Sequence, residues 1–272
     1  MIPLEDNFSD IISKAQRGLG LSDTQLAEKS RVSSQKIREL REGQFDELAL
    51  LRVAGVLGLS GRALNDLATE GWRPPKMEEI GGLAQFSTQY HDMAVNAYLV
   101  WDKASGAAAA FDTGADSREM LRLATKEKLS IKMILLTHAH SDHVADLPRL
   151  REETGASVYV SEREPVPGAE PIEEGKHFHV GKLDIDTRLT WGHSRGGMTY
   201  VVTGLSRPVA IVGDSLFAGS MGGGNVSYED AVGNNLKKIL TLPDETIICP
   251  GHGPMTTVGE EKIHNPFFAG QV

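Results

Sequence analysis

Cysteine is nearly missing from this 272-residue chain. Cys249 stands alone, so no intrachain disulfide can form, and a reducing compartment is expected. Aromatic residues are few, at 6%. No apolar run approaches the roughly 18 residues that a membrane-spanning helix needs. The start, "MIPLEDNFSD", lacks the basic opening and apolar stretch of a secretory signal. These absences lead to the expectation of a cytoplasmic protein with no membrane partner. Basic charge is also short: the formal net charge is −9, and it is unevenly spread. Residues 1–76 hold 11 Lys+Arg and 11 Asp+Glu, a balance of zero, while residues 77–272 hold 17 and 26, a balance of −9. The second part is therefore a poor partner for nucleic acid on charge grounds.

What is present divides the chain in two. Residues 8–69 read as four or five short helices, with apolar residues at helical spacing: Ile11, Ile12, Ala15, then Leu26, Ala27, then Ile37, Leu40, then Leu48, Leu51, Ala54, Leu57. Ser22 or Asp23 suits an N-cap and Gly43 a helix stop. "GWRPPKMEEIGG" ends the helical pattern with two prolines and three glycines. The expected organisation is a helical domain over 1–70, a linker over 71–79 and a second domain over 80–272. Beyond the linker, strand-like runs such as "VNAYLVWD", "AAAAFDTG", "IKMILLT", "SVYVS" and "TIICPG" alternate with helical ones such as "SREMLRLATKEKL", "ADLPRLREETG" and "YEDAVGNNLKKILTL". "KHFHVGKLDIDTRL" and "GMTYVVTGLSRPVAIVGD" read as hairpins. The fold class is α/β, with two sheets covered by helices.

The chemistry-bearing stretch is "LLTHAHSDHVADL". His138, His140, Asp142 and His143 directly follow a buried-strand pattern. In an extended chain, His138 and His140 point the same way, whereas the adjacent Asp142 and His143 diverge. Four unpaired polar groups at a buried strand end would be costly as mere packing, and imidazole with carboxylate suits zinc, manganese or iron. Three further candidates sit in glycine-flanked turns after apolar strands: His193 in "TWGHSRGG", Asp214 in "IVGDSLF" and His252 in "ICPGHGP". These seven groups divide into two sites that share one carboxylate.

The order "THAHSDH", "GHSRGG", "GDSLFAGS", "PGHGP" over residues 80–272 resembles the metallo-β-lactamase superfamily, and its glyoxalase-II-like branch in the ending "PGHGPMTTVGEEKIHNPF". The resemblance implies an αββα sandwich. It implies one metal on His138, His140 and His193, a second on Asp142, His143 and His252, and Asp214 bridging them. The cofactors would be two divalent metal ions, zinc in the first place, with iron or manganese as alternatives. Such a pair lowers the pKa of a bound water toward neutrality. The hydroxide would attack an ester, thioester or lactone of a small molecule, with Asp142 as the catalytic group that orients it. Asp112 in "FDTGAD" is expected behind the ligands. The chain departs from the branch in two places: "MGGGNVSYED" replaces a "GRTD"-type segment, and "TWGHSRGG" replaces "TPGHTPG". The first of these, with its basic residue missing, argues against a glutathione thioester. Persulfide dioxygenases share the frame but use one iron, on the positions matching His138, His193 and Asp214. Arg195, His177, His179 and Cys249 are expected to be structural or solvated.

"LSDTQLAEKSRVSSQKIRELREG" resembles the helix-turn-helix of the Cro/phage-repressor type. That likeness implies a small all-α helix-turn-helix domain ahead of the sandwich and a DNA partner through residues 20–45. Ser34, Gln35 and Arg38 would face the major groove. A transcription regulator with a metallohydrolase-like sensor domain is the second functional expectation. A helical bundle used for homodimerisation, or for contact with the second domain, is the alternative for this module.

Overall fold

In the computed structural model, which describes residues 2–271, each of the five N-terminal helices starts on a capping side chain. Asn7 opens α1 (Phe8–Gly18), Ser22 opens α2 (Asp23–Ser30), Ser33 opens α3 (Ser34–Arg41), Asp46 opens α4 (Glu47–Leu57) and Ser60 opens α5 (Gly61–Ala68). Each cap satisfies an otherwise orphaned N–H and contributes about 1 kcal/mol.

The rest of the chain forms two six-stranded sheets. The first contains β1 (Leu83–Tyr90), β2 (Met93–Trp101), β3 (Ala107–Phe111), β4 (Ser130–Leu135), β5 (Ser157–Ser161) and β6 (Glu170–Ile172), in that order. The second contains β7 (His177–Val180), β8 (Leu183–Leu189), β9 (Met198–Thr203), β10 (Val209–Gly213), β11 (Ile247–Pro250) and β12 (Thr256–Thr257), also neighbouring in sequence order. Alternation assigns each side chain to a layer. Tyr98, Val100, Ala109 and Phe111 face the inter-sheet core with Tyr200, Val202, Ile211 and Cys249. Ala97, Leu99, Ala108 and Ala110 face outward onto α6 (Arg118–Lys126) and α7 (Leu147–Thr154), meeting Met120, Ala124 and Leu150. On the other outer face, Val201, Ala210, Val212 and Ile248 pack with α8 (Tyr228–Asn234).

This last cluster continues without a break into the N-terminal helices, through Ile11, Ile12, Ala15, Leu50, Val53 and Leu57. The helices are thus part of the molecule's core. Trp72 seals the junction: it stacks on His264 at 5.1 Å and donates to Glu260 Oε2 at 2.9 Å.

Four elements escaped the pattern reading, among them the two-residue β12. β1 is half-exposed along most of its length, so "LAQFSTQY" shows no clean alternation. β6 has only three residues. α9 (Val258–His264) follows the last site turn and buries chiefly Val258 and Glu261. The single helix expected over "YEDAVGNNLKKILTL" is two pieces, because after α8 the chain widens into a π-helical turn, Asn235–Ile239. There Asn235 turns inward, donating to Ser215 O at 2.7 Å and to Ala231 O at 3.0 Å.

Glu261 explains part of the C-terminal motif. Its buried carboxyl accepts from Thr256 Oγ1 at 2.8 Å, Asn265 Nδ2 at 2.8 Å and Gly219 N at 3.0 Å, so α9 holds the loop after β10 in place. Burial nevertheless lifts its pKa from 4.5 to about 7. The folded chain therefore keeps a proton that the unfolded chain releases near pH 4.5, and this stabilisation is lost as pH rises through 7. Glutamine preserves the shape, because the Thr256 hydroxyl can turn to accept. Glu261→Gln is expected to gain about 2–3 kcal/mol on the parent between pH 5 and pH 8. Paired denaturant melts at each pH read this directly, and a constant difference would refute it.

Candidate metal centre

The site lies where several strands end at one edge of the sandwich. β4 runs into Thr137 and His138, β8 leads to His193, β10 runs directly into Asp214 and β11 into the turn that carries His252. Two tyrosines brace these ends across the core: Tyr200 Oη donates to Leu136 O and Tyr98 Oη to Pro250 O, both at 2.8 Å. Asn96 Nδ2 adds bonds to Pro250 O at 3.0 Å and Gly253 O at 2.8 Å.

The structure gathers the seven sequence-derived candidates into two groups, each with its ligand-type atoms within 4.8 Å of one another. His138, His140, His193 and Asp214 form one, and Asp142, His143 and His252 the other. In the first, His140 Nδ1 lies 3.0 Å from His138 Nε2 and 3.2 Å from His193 Nε2. Asp214 Oδ2 lies 3.3 Å from His193 Nε2 and 3.9 Å from His138 Nε2. In the second, Asp142 Oδ2 lies 3.4 Å from His143 Nε2 and 3.3 Å from His252 Nε2. Asp214 reaches this group as well, with Oδ1 3.3 Å from His143 Nε2 and Oδ2 3.4 Å from His252 Nε2. Atoms about 2.0–2.1 Å from a shared centre stand about 3.3–3.4 Å apart in a tetrahedron, so most of these spacings suit tetrahedral coordination.

Two further observations fit a cation. His143 Nε2 and Asp214 Oδ1 are buried and, among the described residues, have no hydrogen-bond partner. Such orphans are costly unless something charged satisfies them. Gly251 also keeps the space clear, since a Cβ there would meet Asp214 Oδ1 at 2.1 Å and His143 Cε1 at 2.7 Å.

The ligand orientations are fixed from behind. His143 Nδ1 pairs with Asp112 Oδ2 at 2.8 Å, His193 Nδ1 with Gly223 O at 3.0 Å and His252 Nδ1 with Ala94 O at 2.7 Å. Each contact commits Nδ1 to the protein and leaves Nε2 facing the centre. Electrostatics follow from burial and charge. Burial pushes His143 and His252 down, but Asp214 overcomes it, with Asp112 acting on His143 and Asp142 on His252, so both imidazoles are held above their ordinary value. Burial and the neighbouring His143 charge push His138 well below its ordinary value. Asp214, despite burial, is held well down by His143 and His252. The cluster therefore stabilises positive charge beside Asp214.

A model of the metallo-beta-lactamase superfamily matches residues 92–252. The chain belongs to that superfamily. Among metallo-β-lactamase relatives, it is 32% identical over 186 residues to the probable metallo-hydrolase YqgX of Bacillus subtilis, covering 59% of this chain and 86% of that protein. It is 29% identical over 197 residues to the hydroxyacylglutathione hydrolase GloC of Haemophilus influenzae, covering 63% of this chain and 92% of that one. The crystal structure of TTHA1623 in a di-iron-bound form matches with a TM-score of 0.55 at 29% identity, covering 67% of this chain and 100% of that one. The helices α1–α5 precede the stretch that the superfamily model matches.

The remaining candidates lie away from this metallo-β-lactamase centre. His177 and His179 are exposed and pair across a hairpin with Asp186 and Asp184, at 2.5 and 2.7 Å. Cys249 is buried, its thiol pushed up by burial, with Met255 Sδ 3.7 Å away. Ser34, Gln35 and Arg38 lie on α3, where Gln35 bonds Glu39 at 3.1 Å and Arg38 lies 3.9 Å from Asp23. Glu164 was not legible as a site residue. From the loop after β5 its carboxylate accepts from Ala139 N at 3.1 Å and Arg195 N at 2.7 Å, tying two ligand loops together. No local signal marks a glutamate whose partners are backbone groups of distant loops.

Proposed function

We propose that the chain is a dinuclear metal-dependent hydrolase acting on an ester, thioester or lactone of a small molecule. The observation that carries this reading is Asp214, whose two oxygens reach both groups of imidazoles. His138, His140, His193 and Asp214 would hold one ion, and Asp142, His143, His252 and Asp214 the other. When bound, two such ions supply Lewis acidity, making water nucleophilic near neutral pH and polarising a carbonyl. The protein's own groups do the rest. Asp142, with Oδ2 turned toward His143 and His252, would hold the proton of the attacking water. His140 is exposed at the mouth, so substrate would approach from its side. Zinc is the first candidate, with iron and manganese next. The di-iron-bound form of TTHA1623 supports a paired site, and the hydroxyacylglutathione hydrolase name of GloC supports a thioester among the substrates to be tried.

DNA binding is left out of this reading on charge. Asp23 pairs with Arg41 at 2.8 Å and lies 3.9 Å from Arg38, while Lys36 pairs with Glu39 at 2.8 Å. A recognition helix whose cations already have carboxylates releases few counterions on binding.

The test is metal analysis of the purified protein, followed by turnover of a thioester, lactone and aryl-ester panel. Close to two transition-metal ions per chain and hydrolysis that a chelator stops and added zinc restores are expected. Turnover that survives chelation would overturn the proposal. One iron per chain with oxygen uptake on a persulfide would instead favour the dioxygenase.

A further inference from the structure

Residues 3–6 run between the two loops that carry Asp214 and His252. On one side, a Cβ added to Gly253 would lie 3.2 Å from Glu5 N, 3.6 Å from Glu5 Cβ and 3.7 Å from Pro3 O. The segment thus touches the turn that directly follows a ligand. On the other side, Asp6 Oδ2 accepts from Ser220 Oγ at 2.6 Å and pairs with Lys14 Nζ at 2.5 Å. Lys14 Nζ also donates to Met221 O at 2.9 Å and lies 5.2 Å from the centre of the Phe217 ring. That ring meets His252 edge-on at 5.7 Å. The strap is therefore pinned to the His252 turn and to the loop after Asp214, with Glu5 between the two anchors. Burial raises the Glu5 carboxyl, while His252 and Lys14 oppose that rise and Asp6 and Asp214 add to it.

We infer, resting on the hydrolase reading above, that Glu5 is a specificity-determining wall of the substrate cleft, favouring molecules that carry an ammonium group beside His252 over those that carry a carboxylate. The substrate class becomes a small ester, thioester or lactone with a cationic substituent. A partly buried charge a few ångströms from a ligand charge changes affinity by about tenfold or more. The N-terminal helical domain then has a role at the centre: it presents this strap.

Cobalt-loaded full-length protein tests the inference without needing turnover. Three thiols share one metal-binding group and differ in charge: cysteamine, 2-mercaptoethanol and mercaptoacetate. Their dissociation constants are read from the cobalt–thiolate absorption. The parent is expected to prefer cysteamine to mercaptoacetate, Glu5→Gln to shrink that preference about tenfold, and Glu5→Lys to reverse it, all at equal cobalt content. An unchanged preference in both variants, with cobalt retained, would overturn the role of Glu5 and leave the metal reading standing. A chain that takes up no cobalt would overturn the metal reading and this inference with it.

Discussion

Asp214→Ala is expected to empty both halves of the centre, whereas His140→Ala empties one. The reasoning is geometric. Asp214 is the group whose oxygens approach His193 on one side and His143 and His252 on the other, all at 3.3–3.4 Å. His140 approaches only His138 and His193. Metal per chain should fall from about two to near zero in the first variant and to about one in the second, and hydrolysis in the first should drop by about three orders of magnitude or more. The metal-free chains separate the variants too. Asp214 is the main counter-charge for the raised imidazoles of His143 and His252. Removing one partner of a buried charge pair costs about 3–5 kcal/mol, while loss of the exposed His140 should cost little. Equal metal stoichiometry in the two variants would remove the case for a shared carboxylate.

How much of this was legible in the sequence depends on what each residue does. The ligand candidates stand out because they directly follow buried strands, four of them crowded into one stretch and three in glycine-flanked turns. The order of those turns then carries the superfamily resemblance. Asp112 was expected behind the ligands through the resemblance alone, since its work on Thr137 and His143 is a contact across 25 and 31 residues that no spacing reveals. Glu164 acts through backbone groups of loops distant in sequence, so no spacing reveals it. The N-terminal helices were legible as helices from their caps and apolar repeats. Contact with the second domain stood as one alternative, but which surface of it, here β10, β11 and α8, was not legible, because an amphipathic helix does not record what covers its apolar face. β1 and β6 were missed for a related reason: sheet pairing, not side-chain alternation, holds them in place.

The second large effect is expected at Asp112, a residue that bonds His143 directly and reaches His138 only through the Thr137 hydroxyl. Its carboxylate is saturated by donors. Oδ1 accepts from Thr137 N at 2.7 Å, and Oδ2 accepts from Thr137 Oγ1 at 2.7 Å and pairs with His143 Nδ1 at 2.8 Å. Asn cannot serve both oxygens. With its amide nitrogen at the first position, it sets N–H against the Thr137 N–H. With the nitrogen at the second, the Thr137 hydroxyl can rotate to accept, but His143 must give up its Nδ1 proton and carry it on Nε2. That tautomer points a proton at the centre and blocks ligation. Asp112→Asn should therefore weaken metal binding by about 10–100-fold chiefly at the Asp142, His143 and His252 half, since Thr137 Oγ1 keeps a lone pair for His138 Nδ1. Stepwise zinc titration against a chromophoric chelator should show one step displaced and the other in place. Equal weakening of both steps would mean that Asp112 supports the fold of the whole edge and does not set the state of one imidazole. The positive φ of 56° at Asp112 sharpens the comparison, because asparagine tolerates left-handed backbone about as well as aspartate. The backbone is held constant and the lost donor–acceptor match is what the experiment measures.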